Sequence, residues 1–218
     1  MNKKRIFIVD DHPLVREWLA NLINQEADLV VCGEAEDRAH ARQGIAETQP
    51  AVAIVDISLK GGSGIELIKD LKSSCPDVAV IVLSMHDEAL YAERALHAGA
   101  RGYIMKRETT KKIIGGIHRV INGELCISDP IHAAIAERFI DGMPIMDQSP
   151  VTLLSDRELD VFMLLGQGRE TKQIAGELKI STKTVQTYCA RIKEKLKLDN
   201  ISELLREAVR WEEQRQRS

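Results

Sequence analysis

Short unbroken apolar runs recur through the first half of the chain: Ile6-Phe7-Ile8-Val9, Leu29-Val30-Val31-Cys32, Val52-Ala53-Ile54-Val55, Val78 to Leu83, and Gly102-Tyr103-Ile104-Met105. Segments with helical spacing separate them, at about 13–26, 37–48, 64–74, 87–98 and 109–122. Runs that are continuous rather than alternating suit strands buried on both faces. Five β–α alternations predict an α/β fold, a doubly wound parallel sheet of five strands. Gly33, Pro50, Gly61-Gly62, Pro76, Gly99 and Gly102 read as punctuation between elements. Gly61 to Gly64 reads as a flexible β–α turn, because it lacks the pattern of a phosphate-cradling loop.

The pattern changes after residue 122. Asp129 to Ile140 reads as one helix, Asp141-Gly142-Met143-Pro144 as a break and Asp147-Gln148-Ser149-Pro150 as a linker. Beyond Leu153 every segment is helical. Ser155-x-x-Glu158 is a capping box opening a helix at 156–166. Further helices are expected near 170–178, 182–197 and 200–213, with Ser181 and Asn200 as caps. The predicted division is an α/β domain at 1–122, a helix-containing linker at 123–152 and a small all-α domain of four helices at 153–218.

Composition agrees with two packed modules. The 218 residues are 44 % apolar, enough for two cores. No apolar run approaches the roughly 18–20 residues that span a bilayer. The basic start, Met1 to Arg5, is followed by too short an apolar stretch for a secretory signal. Cys32, Cys75, Cys126 and Cys189 form no metal or disulfide pattern, so a reducing, cytoplasmic setting is expected.

Charge separates the modules. Residues 1–150 carry 17 basic against 22 acidic side chains, and residues 151–218 carry 13 against 11. Within 169–197 there are 8 basic and 3 acidic residues. An acidic front and a locally basic tail imply different partners.

The chemistry-bearing residues of the front half fall at strand ends. Asp10 and Asp11 follow the first run, Asp56 the third, Ser84 the fourth and Lys106 the fifth. The carboxyl edge of an open α/β sheet is where ligands bind. Taken singly, each residue reads as a cap, a turn residue or a solvated charge; in this order they converge on one edge. Three carboxylates repel unless a cation lies among them, and hard oxygen donors suit Mg2+. A carboxylate so placed could attack phosphorus to form an acyl phosphate, with Lys106 and Ser84 stabilising the phosphoryl oxygens.

Residues 1–122 resemble a two-component receiver domain, through Val9-Asp10-Asp11-His12, Val55-Asp56-Ile57, Gly64, Leu83-Ser84 and Tyr103-Ile104-Met105-Lys106. The resemblance implies a flavodoxin-like strand order 2-1-3-4-5 and Asp56 as phosphoacceptor. It implies Mg2+ held by Asp10, Asp11, Asp56 and the backbone carbonyl of Ser58. Ser84 and Tyr103 would be the switch pair, and Lys106 would pair with the phosphoryl group. Two positions depart from the family pattern, Lys60 and Arg107 standing where proline is usual. A cis bond without proline costs about 3–4 kcal/mol, so the Lys106–Arg107 bond is expected to be trans or strained.

The basic tail has its own pattern. With Val185 at zero on a 100° wheel, Cys189, Ile192 and Leu196 fall within about 40° and form the inward stripe. Lys183, Thr187, Ala190 and Glu194 centre the opposite face, flanked by Gln186 and Arg191. A preceding short helix with Ile174, Ala175 and Leu178 joins it through Lys179-Ile180-Ser181, a helix-turn-helix spacing whose second helix would enter the major groove. Gln186 could bond adenine, and Thr187 or Ala190 could touch a thymine methyl. Lys172, Lys183, Arg191 and Lys193 suit phosphates.

Residues 153–213 resemble the LuxR-type helix-turn-helix, through Leu154-Ser155-x-Arg157-Glu158, Gly168, Lys172-Gln173-Ile174-Ala175, Leu178-x-Ile180-Ser181, Thr184-Val185, Ile192 and Lys195-Leu196. The resemblance adds Thr184 to the DNA-facing set and implies dimerisation through the last helix, around Ile201, Leu204 and Leu205. The two resemblances together imply a response regulator of the NarL/FixJ class and not an enzyme. It would be phosphorylated by a sensor histidine kinase, bind double-stranded DNA as a homodimer and have no membrane segment. Three alternatives stay open: a phosphorylation-independent DNA-binding regulator with a degenerate receiver, an aspartyl-phosphate hydrolase, and a regulator working through protein partners. The hydrolase usually carries Asp-x-Asp after its first strand, whereas Asp10 and Asp11 are adjacent.

Overall fold

The computed structural model describes residues 3–60, 62–140 and 150–217. The break read at Asp141 to Pro144, the linker residues Asp147 to Ser149, and Gly61 lie outside them. The chain divides into two compact units, Met1–Ile145 and Met146–Ser218.

The first unit alternates strand and helix: β1 (Lys4–Val9), α1 (Pro13–Asn24), β2 (Leu29–Ala35), α2 (Arg38–Thr48) and β3 (Val52–Val55). After the small strands β4 (Ser58–Leu59) and β5 (Gly62–Ser63) come α3 (Gly64–Ser74), β6 (Ala79–Ser84), α4 (Glu88–Ala98), β7 (Gly102–Met105), α5 (Thr110–Ile121) and α6 (Asp129–Ile140). The main sheet is parallel in the order β2-β1-β3-β6-β7. This is the expected 2-1-3-4-5 order once β4 and β5 are counted. Both faces are covered: Ile6, Ile8, Ile54 and Ile81 are buried, and so are Phe7, Val9, Ala53 and Val55. Each fully buried aliphatic or aromatic side chain contributes roughly 1.5–3 kcal/mol, which is why the runs are unbroken.

Two glycines read as punctuation have other roles. Gly33 lies inside β2, where the register with β1 shifts between Ile6 and Phe7. A Cβ there would stand 2.5 Å from the Phe7 ring, so the glycine makes room for an aromatic. Gly62 pairs in a two-stranded antiparallel ladder with Leu59, beside Ser58 opposite Ser63. Ser63 then caps α3 by accepting from the Ile65 N–H. Gly62 and Ser63, read as part of a flexible turn, therefore carry regular pairing.

The residues after α5 stay on the sheet. Cys126 bridges Gly102 in parallel, donating to the Arg101 carbonyl and accepting from the Tyr103 N–H. The expected helix follows as α6, which packs on α4.

The second unit begins with a 3-10 turn at Pro150–Leu153, followed by α7 (Asp156–Gly166), α8 (Thr171–Glu177), α9 (Thr182–Leu196) and α10 (Ile201–Arg217). The three expected caps form. The Ser155 N–H donates to Glu158, the Thr184 N–H to Ser181 Oγ, and the Glu203 N–H to Asn200. Leu159, Phe162, Ile174, Val185, Ile192, Leu204 and Ala208 fill the core. Trp211 packs edge-on to Phe162 at 5.8 Å, whereas Trp18 of α1 is exposed.

Candidate functional site

Parallel registers bring the predicted strand-end residues together. Val9 lies opposite Val55, and Ser84 opposite Met105, so Asp10, Asp56, Ser84 and Lys106 all fall at one sheet edge. Asp10, Asp56 and Ser84 are buried, and Asp11 is half-buried. Lys106 Nζ lies 2.6 Å from Asp10 Oδ2 and 2.7 Å from Asp56 Oδ2. The other Asp56 oxygen, Oδ1, is buried without a hydrogen-bond partner. Gly64 carries a steric requirement beside it, since a Cβ there would meet the Asp56 carbonyl oxygen at 2.0 Å.

Burial pushes the Asp56 carboxyl above its ordinary range; Lys106 opposes that shift and the nearby Asp10 charge adds to it. Burial would lower the Lys106 ammonium, but Asp56 and Asp10 carry it above its usual value. Tyr103 is buried, its phenol pushed up by that burial, and its hydroxyl donates to the His86 carbonyl at 2.9 Å. The Lys106–Arg107 peptide is trans, as are all others among the described residues.

One ligand atom from each of Asp10, Asp11, His12 and Asp56 lies within 4.8 Å of the others, a grouping able to hold a metal ion. Three carboxylates and an orphaned buried oxygen make a hard, anionic donor set. His12 donates its backbone N–H to Asp10 Oδ1 at 2.9 Å and places Nδ1 2.6 Å from Asp11 Oδ1. Arg16 Nη1 donates to the Asp10 carbonyl at 2.7 Å. Sequence reasoning missed Arg16 as a support of Asp10; its position one helical turn after His12 was the available signal. His86, two residues after Ser84, was missed as well.

In the second unit, Val185, Cys189 and Ile192 are buried and Leu196 half-buried, the stripe read from the wheel. Lys172, Lys183, Gln186, Thr187, Ala190 and Arg191 are exposed; Thr184 and Lys193 are half-buried. Thr184 belongs to the helix cap, its hydroxyl 2.8 Å from Ser181 Oγ. The Thr187 hydroxyl donates to the Lys183 carbonyl. Lys179 turns the chain between α8 and α9 at φ 54°. Lys195, counted in the basic cluster, pairs instead with buried Glu158 at 2.6 Å. On α10, Leu204 is fully buried while Ile201, Leu205 and Val209 are exposed at one-turn intervals.

Comparison with known proteins matches both halves. The response regulator receiver domain model matches residues 6–118, and the model for bacterial regulatory proteins of the luxR family matches residues 152–208. The oxygen regulatory protein NreC of Staphylococcus carnosus is 31 % identical over 210 residues, covering 94 % of this chain and 97 % of NreC. The response regulator GacA of Pseudomonas viridiflava is 32 % identical over 206 residues, covering 94 % and 95 %. Among solved structures, the RcsB response regulator of Salmonella typhimurium matches with a TM-score of 0.60 at 25 % identity, covering 96 % of this chain and 98 % of RcsB. RcsB has also been solved bound to promoter DNA in the presence of a phosphomimetic. The chain belongs to the two-component response regulators of the NarL/FixJ family, a receiver joined to a luxR-family DNA-binding domain.

Proposed function

We propose that Asp56 is the phosphoacceptor and that its phosphorylation by a sensor histidine kinase switches a cytoplasmic, DNA-binding transcriptional regulator. The observation that carries this reading is the Asp56 carboxylate: buried, held on Oδ2 by Lys106 and left without a partner on Oδ1. In the transfer, an Asp56 oxygen attacks the phosphorus of the kinase phosphohistidine. The P–O bond forms, the P–N bond breaks and the imidazole leaves. Lys106 and the Ser84 hydroxyl stabilise the phosphoryl oxygens. The donor set fits Mg2+, held by Asp10, Asp11, Asp56 and the backbone carbonyl of Ser58. Such an ion supplies positive charge where three carboxylates and a phosphoryl group meet. Ser84 and Tyr103 form the switch pair.

The same reading assigns the receiver to residues 1–122, the linker to 123–152 and the DNA-binding domain to 153–218. Helix α9 reads the major groove through Gln186, Thr187 and Ala190, with Thr184 at its start. Lys172, Lys183, Arg191 and Lys193 meet phosphates, supported by the exposure of Lys172, Lys183 and Arg191. A homodimer forms through the exposed Ile201 and Leu205 of α10, with Leu204 closing the core beneath them. No described helix is long and apolar enough to cross a membrane.

The test is labelling by acetyl phosphate with Mg2+, followed by DNA binding. Stoichiometric label on Asp56, lost in Asp56→Asn together with phosphodonor-enhanced DNA affinity, is the expected result. Label on another residue, or DNA binding indifferent to Asp56→Asn, would overturn it.

A further inference from the structure

One residue outside the expected switch pair touches nearly every part of it. His86 follows β6, and its Nε2 lies 2.8 Å from Ser58 Oγ in β4, across the mouth of the site. Its backbone N–H donates to Ser84 Oγ at 3.3 Å. Its carbonyl accepts from the Tyr103 hydroxyl at 2.9 Å. Its ring packs on Tyr91, fully buried in α4, with centroids 4.6 Å apart.

We propose that His86 is a positioning residue that links the backbone around Ser58 to Tyr103, a route between the metal side of the site and the buried aromatic that does not pass through Ser84. The inference rests on the reading that the Ser58 carbonyl helps to hold Mg2+.

The route follows from the rigidity of its parts. Ser58 has two arms: its carbonyl belongs to the proposed metal shell and its hydroxyl meets the imidazole. The ring is held by Ser58 at one edge and packs, tilted by 43°, against Tyr91, so a displacement of Ser58 is passed to the His86 backbone rather than being lost in a free side chain. A shift of that backbone moves the His86 carbonyl. A buried phenol must keep an acceptor, because an unmade hydrogen bond costs more than a made one returns. Tyr103 therefore follows the carbonyl. Ser84, whose hydroxyl also interacts with Tyr103 and Asp56, makes a second path that reports the phosphoryl group.

The experiment is a Mg2+ titration of the full chain, without phosphodonor, followed by NMR at the Asp56 amide and at 13C-labelled tyrosine rings, Tyr103 being assigned with Tyr103→Phe. In the parent protein both signals move with one midpoint. In His86→Ala the Asp56 amide still responds while the Tyr103 displacement is lost. In His86→Gln, whose amide can reach Ser58, the Tyr103 displacement returns. Ser58→Ala loses the Tyr103 displacement, and Ser84→Ala keeps it. An unaltered Tyr103 displacement in both His86→Ala and Ser58→Ala would overturn the proposal while leaving the Mg2+ reading intact. No response at the Asp56 amide of the parent protein would overturn both.

Discussion

Lys106 Nζ stands 2.7 Å from Oδ2 of Asp56, and Oδ1 of the same carboxylate is buried with no partner. One cation thus half-satisfies a group whose burial would otherwise disfavour its charge. The folded protein raises the Asp56 pKa above the ordinary value of 3.8. The stability this group contributes is fully present below that value and is lost as pH rises through the folded pKa. At neutral pH the receiver therefore carries a destabilising charge. Asp56→Asn keeps the shape and removes that charge, while Lys106 retains Asp10. The expected outcome is a rise in Tm of about 2–4 °C at pH 7, shrinking towards pH 4. Calorimetry in EDTA measures it, and a lower Tm at pH 7 would mean that the attraction to Lys106 outweighs the cost of burial.

Gly64 leaves no room for a side chain against the Asp56 carbonyl. Gly64→Ala must displace the backbone of the candidate phosphoacceptor. A loss of about 1–3 kcal/mol in urea unfolding is expected, with slower labelling of Asp56 by acetyl phosphate. Unchanged stability and labelling would show that α3 can move away at no cost.

The pair Glu158–Lys195 ties the start of α7 to the end of α9. Burial pushes the Glu158 carboxyl up, but Lys195 and Ser155 more than offset this and leave it below its ordinary value of 4.5. Its contribution is present above that value and is lost as pH falls through the lower, folded pKa. Lys195 is partly exposed, which weakens the pair by solvent screening. Glu158→Gln is expected to cost about 1–2 kcal/mol at pH 7 in denaturant unfolding of the DNA-binding unit, and little near pH 3. An equal cost at both pH values would assign the loss to packing rather than charge.

Arg191 and Gln186 separate two kinds of DNA contact. Arg191→Ala is expected to weaken binding to all sequences alike and to reduce the slope of log affinity against log salt by about 1. Gln186→Ala is expected to leave that slope unchanged and to lower discrimination at one base pair by about 1–3 kcal/mol. Binding isotherms at several salt concentrations, on the selected site and its single-base variants, distinguish them.

The four thiols differ in access. Cys32 is half-buried; Cys75, Cys126 and Cys189 are buried, and burial raises the thiols of Cys126 and Cys189. The thiolate is the reactive form, so Cys32 is expected to react first with an aromatic disulfide reagent, and the other three only on unfolding. Rapid reaction of Cys126 in the native protein would show that the segment beside β7 opens readily.

Much of the site was legible because strands end where polar residues begin. Asp10, Asp56, Ser84 and Lys106 each follow a buried apolar run, and a parallel sheet aligns such ends whatever the loops do. The caps at Ser155, Ser181 and Asn200 were legible for a similar reason: their bonds reach only three residues along the chain. His86 was not legible. Its bond to Ser58 spans 28 positions, and no local spacing records which loops face each other across a sheet edge. Lys195 was equally hidden, looking like one more cation in a basic stretch until Glu158 came to meet it.

The sequence by itself determined the two modules, the order of their elements and the set of groups available at each site, because period, capping and strand-end chemistry are local properties. Tertiary structure alone decided that Gly33 yields to Phe7, that Leu204 faces inward while Ile201 and Leu205 do not, and that one Asp56 oxygen is held while the other is not. Those outcomes depend on which surfaces meet after packing, and close packing fixes them to fractions of an ångström that a one-dimensional pattern does not carry.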